Sequence, residues 1–261
     1  MPGFGRFETV EELASSGPFT VYSARSPGDD GPPKFAIKTF STVDEFADPD
    51  MIEARASGFL ESARAQQELA KANPDSWAPV YDLGRTPTHA YFVTDLYELT
   101  AHKLIDSRRD MTPAEVVRIV LAVARALESL RSARNGRGHG DLKPTNVLIR
   151  AADNDLAQAS VFLIDPAPEA RLVNQGTADD QRSLADMLHQ LVVFRPGPKG
   201  GTVQGGPEWS RLGKAGEILR GACEWLLNPQ AGAIASYEEV RAKLEPAAQV
   251  KSGGSKKGLL I

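Results

Sequence analysis

The chain has 261 residues, 41% of them hydrophobic, which is enough to bury one large domain or two modest lobes. Its 30 basic and 34 acidic residues are interspersed and sum to a net charge of −4, so no basic face for a nucleic-acid backbone stands out and nucleic acid is not an expected partner. The single cysteine, Cys223, excludes an internal disulfide and a cysteine-based zinc site and fits a reducing, cytoplasmic location.

The opening stretch, MPGFGRFETVEELASS, has no basic segment followed by an apolar one, and nowhere does an apolar run reach bilayer-crossing length. Four segments then read as strands: 17–25 (GPFTVYSAR), 33–40 (PKFAIKTF), 77–84 (WAPVYDLG) and 89–97 (HAYFVTDLY). Each is rich in Val, Ile, Tyr, Phe and Thr and bounded by Gly, Pro or Asp, so a small antiparallel sheet is expected. Between the second and third lies DPDMIEARASGFLESARAQQELAKAN, whose Ala, Glu and Gln content predicts a helix, broken near Gly58.

After residue 100 the periodicity turns helical. TPAEVVRIVLAVARALESLRS opens with Thr112 as N-cap, Pro113 at the first helical position and Glu115 to complete a capping box. Its apolar residues cover more than one stripe, which predicts a central, largely buried helix. Further helices are expected at 179–194, 213–227 and 236–245, the last with Ser236 as N-cap. The stretch 195–206 (RPGPKGGTVQGG) reads as a loop. The tail KSGGSKKGLLI reads as a flexible linker, and its Lys256-Lys257 before Gly-Leu-Leu-Ile resembles the cytoplasmic flank of a membrane helix. The expected division is a β-rich lobe over 1–96, a helical lobe over 97–246 and a tail over 247–261. That tail is the one route by which the chain is expected to meet a membrane, as the cytosolic part of an anchored protein.

The chemistry concentrates in HGDLKPTNVLI, residues 139–149, and in VFLIDPAPEA, residues 161–170. An Asx-rich surface turn is the plainest reading of the first, but His139, Asp141, Lys143, Pro144 and Asn146 stand in a fixed spacing before an apolar run. Asp165 follows Phe162-Leu163-Ile164, at a strand end where its carboxylate can meet a hard cation. Lys38, in FAIK, reads in isolation as an edge-strand lysine that deters aggregation. The four histidines, 89, 102, 139 and 189, have no second histidine or cysteine at helical or hairpin spacing to complete a metal site.

FAIK, HGDLKPTN and LIDPA, in that order, resemble the conserved strand lysine, catalytic loop and metal motif of the protein-kinase superfamily, in the form of a degenerate bacterial Ser/Thr-type domain over about residues 10 to 245. The resemblance implies an α+β, two-lobe fold with ATP and Mg²⁺ in the cleft. It gives Asp141 the role of base and places Lys38 and Lys143 on phosphates, with Asn146 and Asp165 on the metal. It implies that Ser16, Gly17, Val21, Ala36, Lys38, Asp95 and Leu148 line the nucleotide. Asp180 would brace the catalytic loop.

The chain also departs from that pattern. Ala14, Ser16 and Phe19 stand at the three glycine positions of the phosphate-covering loop. Ser62 stands where a glutamate should pair with Lys38, leaving Glu61 and Glu68 as substitutes. Pro166 and Ala167 follow the metal aspartate, Gly140 replaces the loop arginine, and 14 residues separate Asp165 from Asp180, too few for a full activation segment. Two functions therefore stay open. One is an atypical Ser/Thr-type phosphotransferase acting on a protein or a small molecule. The other is an inactive pseudokinase whose surface recruits a protein partner.

Overall fold

The structure is a computed structural model and describes residues 3–43, 48–168, 177–199, 201–228 and 235–250. It is α+β, with the sheet mostly in the first hundred residues and the helices mostly after them.

Six antiparallel strands form the first sheet: β1 (Gly3–Phe4), β2 (Phe7–Ser16), β3 (Phe19–Arg25), β4 (Phe35–Ser41), β5 (Asp82–Arg85) and β6 (His89–Asp95), in the order β1-β2-β3-β4-β6-β5. Side chains alternate between its faces. Phe4, Phe7, Ala24, Ile37, Tyr91 and Val93 form a core on one face. On the other, Val21 opposes Lys38 and Phe19 opposes Phe40, so Phe19, Val21, Ala36, Lys38 and Phe40 project together. Helix α1 (Pro49–Ala72) packs on this second face, with Ala56 and Leu60 against Phe40 and Ala90.

α1 begins where Asp48 accepts a hydrogen bond from the Asp50 N–H and Pro49 takes the first helical position. It continues through Gly58, where a break was expected. A methyl group there would meet the Pro168 ring at 3.5 Å, an ordinary contact distance, so the helix runs beside the chain that follows Asp165 without requiring a glycine at 58. Of the expected strand 77–84, only Asp82–Arg85 pairs with β6. Its first residues serve another sheet: Ala78 N–H donates to the Leu163 carbonyl at 3.1 Å, and Leu163 N–H to that of Ser76 at 3.0 Å. β1 and β2 were not anticipated, because Glu8, Glu11 and Glu12 mask the apolar alternation.

The remainder is mainly helical. A short sheet, β7 (Leu99–Thr100), β8 (Val147–Arg150) and β9 (Ser160–Leu163), lies beside α2 (Ala101–Asp106), α3 (Pro113–Ala133), α4 (Thr177–Val193), α5 (Pro207–Ser210), α6 (Lys214–Leu227) and α7 (Tyr237–Gln249). The Thr112–Glu115 capping box opens α3 as expected, and Ser236 with Glu239 opens α7 in the same way. α3 is the central helix: Val116, Ile119, Val120, Val123 and Leu130 are all enclosed by the main core. Among the described residues, no helix is long and apolar enough to cross a membrane. The tail 251–261 and its expected membrane flank lie outside the described residues.

Trp77 joins the two halves. It is fully buried, forms a bridge to Leu163, donates from Nε1 to Ser129 Oγ at 3.1 Å and stacks on His139 with centroids 5.9 Å apart. A residue that packs on β9, α3 and the 139–146 loop together fixes the sheet-bearing half over the helical half.

Candidate functional site

Lys38 sits in the middle of β4, opposite Val21 on one side and Phe92 on the other, so its stem is held by the sheet. Its ammonium meets the Asp165 carboxylate, 127 residues away, in a partly buried ion pair. It also lies over the Phe19 ring, 5.5 Å from the centroid. Glu61 and Glu68 stood as substitutes for the glutamate missing at 62; Glu68 is exposed on α1, and Ser62 is buried. What α1 presents to this centre is Gln66, completely buried, whose Oε1 accepts from the Asp165 N–H at 3.0 Å and whose Nε2 donates to the Ala78 carbonyl at 2.9 Å. Sequence reading missed Gln66 because it sought a charge. The legible sign was a long polar side chain at 66 between the buried apolar positions of one helix face.

Asp165 adopts a positive φ of 58°, a conformation that aspartate tolerates better than most side chains. Three contacts hold it there: Gln66 at its N–H, Lys38 at its carboxylate, and the Ala167 N–H, which donates to the His139 carbonyl at 2.7 Å. The left-handed turn thus falls one residue before Pro166, where no donor is lost, and the Pro-Ala pair fits the turn without positive φ at Ala167.

The 139–146 loop is tied to this turn. Ile164 N–H donates to the Asn146 carbonyl at 3.1 Å. The Asn146 side chain is buried and spends its amide nitrogen on Asp141, 2.9 Å from the carbonyl and 3.3 Å from Oδ2. Lys143 Nζ lies 2.7 Å from the same Oδ2, and both Asp141 and Lys143 are exposed. Beneath them, buried Asp180 accepts the N–H of His139 at 2.5 Å and of Gly140 at 3.0 Å. Gly140 has φ of 71°, which explains a glycine where the resemblance expects arginine.

Burial pushes the Asp180 carboxyl up from its ordinary value of 3.8 and pushes His139 down from 6.5. The ring hydrogen bonds agree with a neutral His139: Nδ1 accepts from the Asp141 N–H at 3.3 Å, leaving Nε2 to donate to the Ile164 carbonyl at 3.0 Å. Because the folded state resists protonation of this ring, its contribution to stability is complete above 6.5 and is lost as pH falls below it. Thermal unfolding should therefore show the wild type losing ground to His139→Gln between pH 7 and 5.5, by up to about 1.4 kcal/mol per pH unit. A difference that does not change with pH would mean that the ring protonates freely in the fold.

The other residues expected to line the nucleotide lie in four places. Val21, Ala36 and Lys38 share the α1-side face. Ser16 and Gly17 lie at the β2–β3 hairpin, a two-residue Gly17-Pro18 turn with φ of 56° at Gly17. That turn is fastened to the sheet, since Ser41 N–H donates to the Pro18 carbonyl at 2.8 Å. Phe19 points along the α1-side face and packs against Phe40 and Phe59, with centroids 5.4 and 6.1 Å away. Asp95 ends β6, accepting from Tyr81 Oη at 2.8 Å and from Arg150 at 2.9 Å. Leu148 packs with Ala78, Tyr97, Phe162 and Ile164, and Ile164 precedes Asp165. The Arg150 guanidinium covers the Tyr97 ring at 4.8 Å.

Two buried hydroxyls in this region, Thr94 Oγ1 and Tyr97 Oη, have no hydrogen-bond partner, and burial pushes the Tyr97 phenol above its ordinary 10. Thr94 opposes Ala36 and so shares the face of Lys38. As a cation site, Asn146 and Asp165 supply oxygen donors, the type that Mg²⁺ takes. The orientation of the Asn146 amide leaves Oδ1 for a cation. Among the described residues no three His, Cys, Asp or Glu side chains gather into a metal cluster, so water or ligand oxygens would complete the shell of a cation held there. No family model matches the chain, and no curated protein matches it.

Proposed function

We propose that the chain is a protein-kinase-like phosphotransferase of atypical Ser/Thr type, binding ATP and Mg²⁺ between a β-rich lobe and a helical lobe. The observation that carries this reading is the meeting of Lys38 and Asp165 from opposite ends of the chain, beside a loop that gathers Asp141, Lys143 and Asn146. Groups so far apart in sequence converge on one place when the fold is built around that place. The two unpartnered hydroxyls, Thr94 and Tyr97, suit the ring nitrogens and exocyclic groups of a base, since a buried hydroxyl without a partner costs stability that a ligand can recover.

In this reading Lys38 exchanges its contact with Asp165 for the α- and β-phosphates, which frees the carboxylate. Mg²⁺, when bound by Asn146 and Asp165, neutralises phosphate charge. Asp141 takes the proton of an acceptor hydroxyl as the hydroxyl oxygen bonds to the γ-phosphorus. The bridging oxygen leaves with the electron pair on ADP, and Lys143 steadies the transferred group. Asn146 holds Asp141 in place through both of its Nδ2 contacts. The acceptor is a protein Ser/Thr or a small-molecule hydroxyl.

A second reading, an inactive module that binds a protein partner, is favoured by one arrangement: the Lys38 ammonium is already held by Asp165, so nucleotide phosphates would have to displace a carboxylate. Calorimetric titration of ATP with and without Mg²⁺, on the wild type and on Asp165→Asn, separates the two. The phosphotransferase reading expects Mg²⁺-dependent binding that Asp165→Asn abolishes. Binding indifferent to Mg²⁺, or none, leaves the partner-binding module.

A further inference from the structure

We propose that Gln66 is a positioning residue for Asp165, setting the carboxylate through the peptide N–H and thereby coupling helix α1 to the metal side of the site. The metal half of this statement rests on the phosphotransferase reading. The coupling of α1 to Asp165 does not.

The argument begins with what the position demands. Gln66 is fully buried, one end of its amide faces an N–H and the other a carbonyl, and both are within hydrogen-bond distance. Only a side chain that accepts at one end and donates at the other satisfies both without charge. A glutamate there would lose the donor to Ala78, and a leucine would leave the Asp165 N–H and the Ala78 carbonyl both unpaired. The backbone at Asp165 needs such support, because its positive φ costs roughly 1 kcal/mol or more and persists only where neighbours hold it.

A glutamate on α1 would reach Lys38 through charge, so that movement of the helix would move the ammonium. Here Ser62 is buried at that position and Lys38 is held by Asp165 itself. The neutral Gln66 amide of α1 grips the peptide of Asp165, so movement of α1 moves the carboxylate. Gln67 is the natural control. Its Nε2 donates to the Val80 carbonyl at 3.0 Å, docking the same helix to the same segment without touching Asp165.

The test is amide hydrogen exchange at Asp165, followed by NMR on the full chain, with a calorimetric titration of ADP in the presence and absence of Mg²⁺. Gln66→Leu should speed exchange at Asp165 by roughly tenfold or more while amides of α3 stay protected, and should weaken the Mg²⁺-dependent part of ADP binding about tenfold while leaving Mg²⁺-free binding unchanged. Gln67→Leu should do neither. Gln66→Glu, which keeps the acceptor, should keep slow exchange at Asp165, and it decides the matter if Gln66→Leu does not fold. Wild-type exchange in Gln66→Leu, equal acceleration in Gln67→Leu, or fast exchange in Gln66→Glu would each overturn the proposal. If wild-type ADP binding ignores Mg²⁺, the phosphotransferase reading falls, and the exchange rates still settle the role of Gln66.

Discussion

In the phosphotransferase reading, Asp141→Asn is expected to lower phosphate transfer about a thousandfold while leaving Mg²⁺·ATP affinity within a factor of about three, because a general base acts on the acceptor and not on the nucleotide. The structure makes this substitution clean. Asp141 is exposed, and its backbone N–H donates to the His139 ring whatever the side chain is. Asparagine can still accept from Asn146 and Lys143 at one oxygen, so the loop keeps its shape while the proton acceptor is lost. The readout is transfer of labelled γ-phosphate to a mixed Ser/Thr peptide pool and to aminoglycoside-like polyols, alongside calorimetric ATP affinity. Equal transfer by both proteins would remove Asp141 from the mechanism. Equal loss of transfer and of ATP binding would show that the loop had rearranged.

The 139–146 loop and the aspartate after β9 stood out in the sequence because their spacing is local. From His139 to Asn146 the chain makes one compact turn, and the residues that must meet are within a few positions of one another. Local signals also gave α3 and α7, where Thr112 with Glu115 and Ser236 with Glu239 form the expected capping boxes. What could not be read was who answers Lys38. That choice depends on how α1 is set over the sheet, a matter of long-range packing such as that of Ala56 and Leu60 on Phe40 and Ala90. With Gln66 inward, the ammonium finds its counter-charge at Asp165. Only the first half of strand 77–84 departs, for a related reason: Trp77 and Ala78 have strand composition but are spent on β9 and the main core.

Phe19 shows how a departure in sequence can be absorbed by the fold. At a position where the resemblance expects glycine, an aromatic ring threatens to fill the phosphate space. The tight Gly17-Pro18 turn instead directs it along the α1 face, where Phe40 and Phe59 receive it. The ring buries apolar area there and also presents its π face to Lys38. It has a packing role independent of any ligand, so the lost glycine by itself does not decide between the two functional readings.

Asp180→Ala is expected to cost the protein about 2–5 kcal/mol and to lower its melting temperature by roughly 5–15 °C, the largest stability effect of any single change at the site. Burial raises the pKa of this carboxyl by disfavouring its ionised form, and its contacts act against that. Those are the N–H groups of His139 and Gly140, at 2.5 and 3.0 Å, in a segment with no strand or helix partner for either. Alanine would leave both donors unpaired beside a buried histidine. Asparagine should fall between wild type and alanine, since its one oxygen can serve one donor while its NH₂ opposes the other. Calorimetric unfolding and amide exchange at His139 and Gly140 check this together. Unchanged melting and protection in Asp180→Ala would mean that the two ring hydrogen bonds of His139 hold the loop unaided; the expected loss would instead show that the geometry of Asp141 and Asn146 is set from below, by a residue 34 positions beyond Asn146 that touches neither.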